Sequence, residues 1–386
     1  MVKIKVRPED FAVEELIDLP LARKGKYSIL KLQKRLWNTL DVIDCVARKA
    51  RVPKQLFSRA GLKDRYSSST QYLSFRGNFE HTIKEKHFTL EPIGRSDKPV
   101  SPSILIGNSF CITLRNLDRK DTESISANAE QIQNCGFPNY FDEQRFGSAR
   151  HGQGFVAKKM ILEHYQGALK LLMCYSHSED RAREKKFKAY CLSHWRDWEG
   201  CLRIAPSFYR PVLDHLCVHP KDFRNALKKI DREYLNLYLL AYQSYIYNEA
   251  LARLIKQNGE ENIHLKYSMG ELILYGRLRI QQAATMKIPM INEKTKLTGY
   301  TGKIIERVLK KEGIKQKDLS LRKMRLRGVR FKSFERSVII FPRDFSITKP
   351  TSDEIYKGKY LCTFKCILPP GAYATILIKR LLLGCN

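Results

Sequence analysis

The segment Arg59-Ala60-Gly61-Leu62-Lys63-Asp64-Arg65 sets one carboxylate between two cations just past a glycine turn. Nearby positive charge favours the ionised carboxylate, the form that a nucleophile or general base requires. A solvated turn charge in a basic neighbourhood has the same local sequence, and these seven residues alone favour that simpler reading. A second stretch, Asn139-Tyr140-Phe141-Asp142-Glu143-Gln144-Arg145-Phe146-Gly147, interleaves aromatic rings with hydrogen-bonding side chains. An enzyme acting on an unstacked base needs a ring to stack on it and amides to read its edge. Taken alone, the stretch favours the simpler reading, a loop of buried hydrophobes. A third, Phe364–Thr375, reads as a strand, the stiff Pro369-Pro370-Gly371 turn and the start of a helix.

Other chemistries find no motif. There is no G-x-G-x-x-G, and Gly302-Lys303 has Leu297 where a phosphate loop needs its upstream glycine. Dehydrogenases, P-loop enzymes and standard methyltransferases are disfavoured on that ground. Gly299-Tyr300-Thr301-Gly302 has the form of a KH-type G-x-x-G clamp but is too short to carry weight. His215 and His219 would share a face of a strand, yet structural zinc wants four such ligands, so no metal is expected. The ten cysteines include no C-x-x-C pair, which fits a reduced, cytoplasmic setting, and Cys362 and Cys366 read as core thiols.

The elements that must position these residues show in the hydrophobic pattern. Met1–Leu16, with a turn at Pro8, reads as strand, as do Lys26–Leu32, Thr70–Phe75 and Ser109–Leu114. Thr39 is the expected N-cap of a helix running to Ala50. From Val156 the texture changes: a helix is expected over Val156–Met173 and another over Leu235–Ile255. Residues 303–336 carry 13 Lys and Arg against four acidic groups, and Lys323, Arg325 and Arg327 alternate with Met324 and Leu326 as on a strand with one basic face. β character returns at Val338–Phe341 and Tyr360–Leu368, and Tyr373–Leu383 reads as a closing helix.

With 386 residues, 43% of them hydrophobic, the chain can build two cores. Its 70 Lys and Arg outnumber 40 Asp and Glu, a net charge of +30. Such an excess calls for a polyanion, because Lys and Arg neutralise phosphates and release their counterions. An anionic membrane surface would need a polybasic or amphipathic anchor, and no segment stands out as one. The N-terminus has no apolar stretch like a signal peptide, and no run approaches the roughly 20 apolar residues of a membrane span.

Six segments taken in order, Phe11–Glu15 (FAVEE), Ala60–Asp64 (AGLKD), Gly107–Phe110 (GNSF), Asn139–Gly147 (NYFDEQRFG), Gln243–Asn248 (QSYIYN) and Leu368–Thr375 (LPPGAYAT), resemble the TruD pseudouridine synthases over nearly the whole length. The resemblance implies an α+β fold. A pseudouridine-synthase catalytic domain with a mixed or antiparallel sheet (1–154 and 333–386) would be interrupted by an α+β insertion, or TRUD, domain (155–332). It implies that Asp64 is the catalytic group and Lys5 its partner. Phe11, Asn139 and Tyr373 would contact substrate, and Phe141 would stack on the target base. Tyr373 stands where many relatives have Phe, and Asp142 where many have Gly, adding a hydroxyl and a carboxylate near the expected substrate path. The implied partner is tRNA, with uridine 13 as the target and no cofactor or obligate protein partner. The basic residues Lys315, Lys317, Lys323, Arg325 and Arg327 are candidates for holding the RNA backbone. Two rivals are a noncatalytic RNA-binding protein on the same fold and a donor-dependent RNA-modifying enzyme such as a methyltransferase.

Overall fold

A computed structural model describes residues 1–278 and 285–385. The chain divides into two compact units, Met1–Phe137 with Ile340–Asn386, and Pro138–Ile339. The family resemblance implied edges at 154/155 and 332/333. The observed division takes the loop Asn139–Gly147 into the second unit, where Phe141 and Asn139 are hydrogen-bonded to Asn248 and Arg336.

The first unit is built on ten strands in one mixed sheet. Those used below are β1 (Phe11–Ile17), β2 (Tyr27–Arg35), β3 (Phe57–Arg59), β4 (Ser68–Arg76), β5 (Ile83–Glu85), β6 (Phe88–Ser96), β7 (Leu105–Leu117) and Tyr360–Leu368. The order across the sheet is Arg343–Ile347, Tyr360–Leu368, β7, β1, β4, β2, β6, β5, with β3 beside β4 and Thr351–Ser352 beside Tyr360–Leu368. β1 and β4 run parallel over Ala12–Glu14 and Ser68–Thr70, and the other pairs are antiparallel. Helix α1 (Thr39–Ala50) lays Val42, Ile43 and Val46 against Leu30, Leu32, Leu73, Phe75 and Leu90 of the sheet. Asn38, not Thr39, is the N-cap residue. The Thr39 hydroxyl is used elsewhere, donating to Gln71 Oε1 at 2.8 Å and accepting from Lys63 N at 3.2 Å. Helix α2 (Arg119–Cys135) packs with the closing helix Ala374–Leu381. There the buried Arg380 donates to Asn128 and Gln131. Cys362 and Cys366 point into the same core, and burial pushes each thiol up to about 12.

The second unit is organised around the helix Arg232–Asn258, whose buried face includes Leu235, Leu239, Ile246, Leu251 and Leu254. Around it lie short helices between Val156 and Leu227, the helix Gly299–Lys311, and antiparallel pairs such as Ile263–Tyr267 with Gly270–Leu274 and Lys287–Met290 with Phe334–Ser337. Three expectations need correction here. The helix expected over Val156–Met173 is two, Val156–Ile161 and Tyr165–Met173, broken where Glu163 takes φ +60°. His215 and His219 lie at a helix C-terminus one turn apart, not on a strand, and His215 faces Asp222 at 3.1 Å. Residues 323–327 are not a strand: Arg322–Met324 is a 3-10 turn and Arg325 follows it at φ +50°. The buried anchors there are Leu321 and Met324, three apart, which is the 3-10 period rather than the strand period of two. Among the described residues no helix is long and apolar enough to cross a membrane.

Candidate active site

In the first unit the sequence segments singled out above meet at one end of β1. Glu15 faces inward with Phe11 and Val13, a carboxylate on the apolar face of its strand. Its Oε2 accepts from Tyr72 N at 3.0 Å, beyond the last residue of β4 that β1 pairs with. Its Oε1 lies 2.8 Å from Lys63 Nζ, which also donates to Asn108 Oδ1 at 2.8 Å. Asn108 stands opposite Glu15 on one side and Leu368 on the other. Gly107 permits that approach, since a Cβ there would come within 2.8 Å of Leu368 O. FAVEE, AGLKD, GNSF and LPPGAYAT are therefore joined through a buried Glu15–Lys63–Asn108 cluster and the strand pairing beside it.

That cluster fixes the loop carrying Asp64. Lys63 N is held by Thr39, and Lys34 Nζ donates to Lys63 O at 3.3 Å and Asp64 O at 2.8 Å. The Ser67 hydroxyl donates to Asp64 O at 2.9 Å, and Arg65 Nε to Leu36 O at 3.2 Å. With its backbone pinned, Asp64 has limited freedom to move its carboxylate. The cation that meets the carboxylate comes from 59 residues away: Lys5 Nζ lies 3.0 Å from Asp64 Oδ2. An ammonium at this distance stabilises a carboxylate anion. The pair keeps a way in from solvent, the two side chains being 25% and 31% exposed. Lys5 Nζ also sits 4.2 Å from the centroid of the Phe11 ring, whose edge-on neighbour is Phe110. Lys5, Phe11 and Asp64 thus form one cluster.

Lys5 is held in a left-handed backbone conformation, φ +56°, which a residue with a Cβ adopts only when its surroundings dictate it. The surroundings are visible. Lys3 exchanges backbone hydrogen bonds with Arg115, Arg7 N donates to Asp10, and the buried Arg115 guanidinium binds Asp10 and Asp353. These ties hold the N-terminal strap against β7 and aim Lys5 at Asp64.

Sequence reasoning did not find Lys34, Glu15 or Arg115. Lys34 is buried beside its loop, and burial drives its ammonium down from 10.5 to about 8, with Asp64 opposing the shift and Lys63 adding to it. The signal existed in the strand pattern, because Leu30, Leu32 and Lys34 occupy alternate, inward positions of β2. A charge on such a face must find a partner.

Tyr373 lies beyond the Pro369-Pro370-Gly371 turn as the N-cap residue of Ala374–Leu381, half-buried. In the second unit Asn139 and Phe141 come together with Arg336. Asn139 Nδ2 donates to Ser337 O at 2.9 Å, and its Oδ1 accepts from Arg336 Nη2 at 2.6 Å. The Arg336 guanidinium stacks 4.1 Å over the buried Phe141 ring, and Tyr247 meets that ring edge-on. Arg336 was not legible as a site residue, lying in a basic run where one arginine reads like another. Asp142 is buried too, capping the turn Glu143–Phe146. Lys315, Lys317, Lys323, Arg325 and Arg327 are all exposed; Lys315 is the N-cap of the 3-10 turn Gln316–Asp318 and Lys317 lies within it, apart in sequence from the turn that carries Lys323.

Comparison with known proteins bears on the whole chain. The sequence profile of the family described as tRNA pseudouridine synthase D (TruD) matches residues 1–381. The probable tRNA pseudouridine synthase D 1 of Methanococcus maripaludis is 31% identical, with 98% of this chain and 99% of the relative covered. The tRNA pseudouridine synthase D of Leptospira interrogans is 32% identical, covering 98% and 96%. The crystal structure of the putative tRNA pseudouridine synthase D from Methanosarcina mazei superposes with a TM-score of 0.70 at 25% identity, covering 98% of this chain and 93% of that one.

Proposed function

Because the chain belongs to the tRNA pseudouridine synthase D family, isomerases that turn uridine into pseudouridine in tRNA, we propose that its target is uridine 13 and that Asp64 is the catalytic carboxylate. The observation that carries the assignment is the Lys5–Asp64 pair on a loop pinned by Lys34, Ser67 and Thr39, beside the Phe11 ring. The reaction breaks the C1′–N1 bond, turns the uracil and forms C1′–C5; N1 gains a proton and C5 loses one. Nothing is oxidised and no group is donated, so the reading calls for no cofactor. A fixed carboxylate anion can attack C1′, add to C6 or take the 2′ proton, and each route needs the ion that Lys5 stabilises. Lys5 then balances the charge as Asp64 reacts, and Phe11 and Tyr373 border the substrate. A base stacked on Phe141 takes the ring face that Arg336 now covers, with Asn139 holding the displaced or re-aimed guanidinium. The excess of cations, Lys315, Lys317, Lys323, Arg325 and Arg327 among them, meets the RNA backbone. The setting expected for such work is the cytoplasm.

The test uses purified protein and an unmodified tRNA transcript carrying 5-tritiated uridine, with no donor added. Tritium should be released to water in step with pseudouridine at position 13, and a transcript with cytidine at that position should release none. Asp64→Asn should lower turnover by about 10²-fold or more while tRNA affinity stays within a few fold. Near-wild-type release by Asp64→Asn would remove Asp64 from the chemistry, and release from another position would overturn uridine 13.

A further inference from the structure

The second unit brings Lys323 and Arg325 together with distant basic residues that no sequence motif marked. A concavity of about 680 Å³ is lined by Arg224, Lys228, Arg322, Lys323, Arg325 and a single acid, Glu163. A neighbouring one of about 580 Å³ shares Glu163 and Arg224 and adds Lys159, Lys170 and Lys221, with Asp222 as its other acid. Three stretches of chain converge here: Lys159–Lys170, Lys221–Lys228 and Arg322–Arg325. Eight cations therefore face two acids, and both acids are already engaged: Asp222 with His215 and Asn225, Glu163 with Lys323.

Two features distinguish this from a solvated basic face. Arg224 forms the wall common to both concavities, and its Nε is buried without a hydrogen-bond partner. A buried donor without an acceptor is costly, and the cost is removed when an acceptor arrives. The rim also carries two residues in the left-handed region, Glu163 at φ +60° and Arg325 at φ +50°. Strained backbone of this kind is retained where the surroundings over-determine it, and it gathers at ligand sites. At Glu163 it interrupts a helix, and at Arg325 it ends the 3-10 turn that presents Arg322 and Lys323.

We propose that these adjoining concavities are a cradle for consecutive RNA phosphates, with Arg224 between them and Glu163 occupying Lys323 until a phosphate replaces it. The inference rests on the reading of tRNA as substrate for its choice of polyanion. Guanidinium groups offer paired donors to phosphate oxygens, whereas Lys159, Lys170, Lys221 and Lys228 act as point charges. Such contacts hold RNA without reading its sequence.

The test is the salt dependence of tRNA binding by the full chain, with tritium release measured alongside. In Arg224→Gln/Lys228→Gln/Arg322→Gln the slope of log affinity against log salt should flatten by about two, at about 0.7 for each phosphate that is no longer neutralised. Glu163→Gln should act in the opposite direction, tightening binding a few fold at low salt and steepening the slope, a gain that a damaged fold would not produce. An unchanged slope in the folded triple variant overturns the cradle, as does weaker or unchanged binding in Glu163→Gln. If the triple variant does not fold, protection of Lys221 and Lys228 from acetylation by bound tRNA in the wild type decides, and absence of protection overturns the proposal. Failure of the substrate reading looks different: the wild type would bind tRNA with the expected slopes yet release no tritium. Turnover with slopes that ignore these substitutions would sink the cradle alone.

Discussion

Lys34 makes two demands on one residue compatible only within limits. Its ammonium supports the backbone of Lys63 and Asp64, yet burial disfavours the charge and brings it to about 8. The sign for stability follows from linkage. Between about 8 and 10.5 the unfolded chain holds the Lys34 proton and the folded chain does not, so this residue makes stability rise with pH across that window. Below about 8 both states are charged and the fold carries the full cost of burial. Function runs the other way, because the Lys34 charge under the Asp64 loop is lost as pH rises through about 8. The expected kcat/KM profile therefore has an alkaline limb with a midpoint near 8. Lys34→Met should lower kcat and remove that limb, while Lys34→Arg, which cannot deprotonate, should move the limb upward or abolish it. An unaltered limb in both variants would assign it to another group.

At the scale of elements, the helix Arg232–Asn258 does for the second unit what the Glu15–Lys63–Asn108 cluster does for the first. Asn248 Oδ1 accepts from Phe141 N at 2.9 Å and its Nδ2 donates to Phe141 O at 2.8 Å, closing both backbone groups of one residue. One turn earlier, Gln243 Nε2 donates to Ile291 O and Lys332 O. The segment QSYIYN is thus a fastener for irregular chain, and its burial explains why its chemistry is structural. Asn248→Ala removes two buried hydrogen bonds to the Phe141 backbone and should lower stability by about 1–3 kcal/mol, at about 0.5–1.5 kcal/mol for each bond. Denaturant unfolding reads this directly, and a loss under 1 kcal/mol would mean water or a neighbour replaces the amide. The same contrast explains what was legible in the sequence. Strands with clear alternation, such as Lys26–Leu32 and Tyr360–Leu368, were read near their observed places, Tyr27–Arg35 and Tyr360–Leu368. α2, rich in Ser, Asn and Gln with few apolar residues, escaped because its buried stripe includes Asp121 and Asn128. Lys323–Arg327 misled because five alternating residues fit a strand, while the anchoring Leu321 and Met324 lie at the period of a 3-10 turn. Glu15 and Lys34 were readable as charges on apolar strand faces, but their partners came from other segments. The Lys5–Asp64 pair spans 59 residues, and no local pattern encodes a contact of that separation; it was reached through the family resemblance.

For the molecule as a whole, the governing quantity is the net charge of +30. Seventy cations on 386 residues repel one another in the folded state, where they are closer together than in the expanded chain. Salt shortens the reach of that repulsion, to about 10 Å at 0.1 M. It also weakens RNA binding, because counterion release yields less free energy when the bulk salt is higher. The two effects have opposite signs. Raising sodium chloride from roughly 10 to 200 mM should increase Tm of the free protein while log affinity for tRNA falls linearly with log salt. Bound tRNA should reverse the first trend: its anions relieve the repulsion most at low salt, so the complex should lose Tm as salt is raised. Chloride is the suitable anion, since sulfate raises stability through exclusion from the protein surface and would mimic the effect. Differential scanning calorimetry with and without tRNA across this range tests both signs in one series. A Tm of the free protein that stays flat or falls would mean that local ion pairs such as Lys158–Glu312 and Arg115–Asp353 outweigh the long-range repulsion. In that case the excess charge would be carried in the folded state without measurable strain, and its relief could not be part of what drives RNA binding.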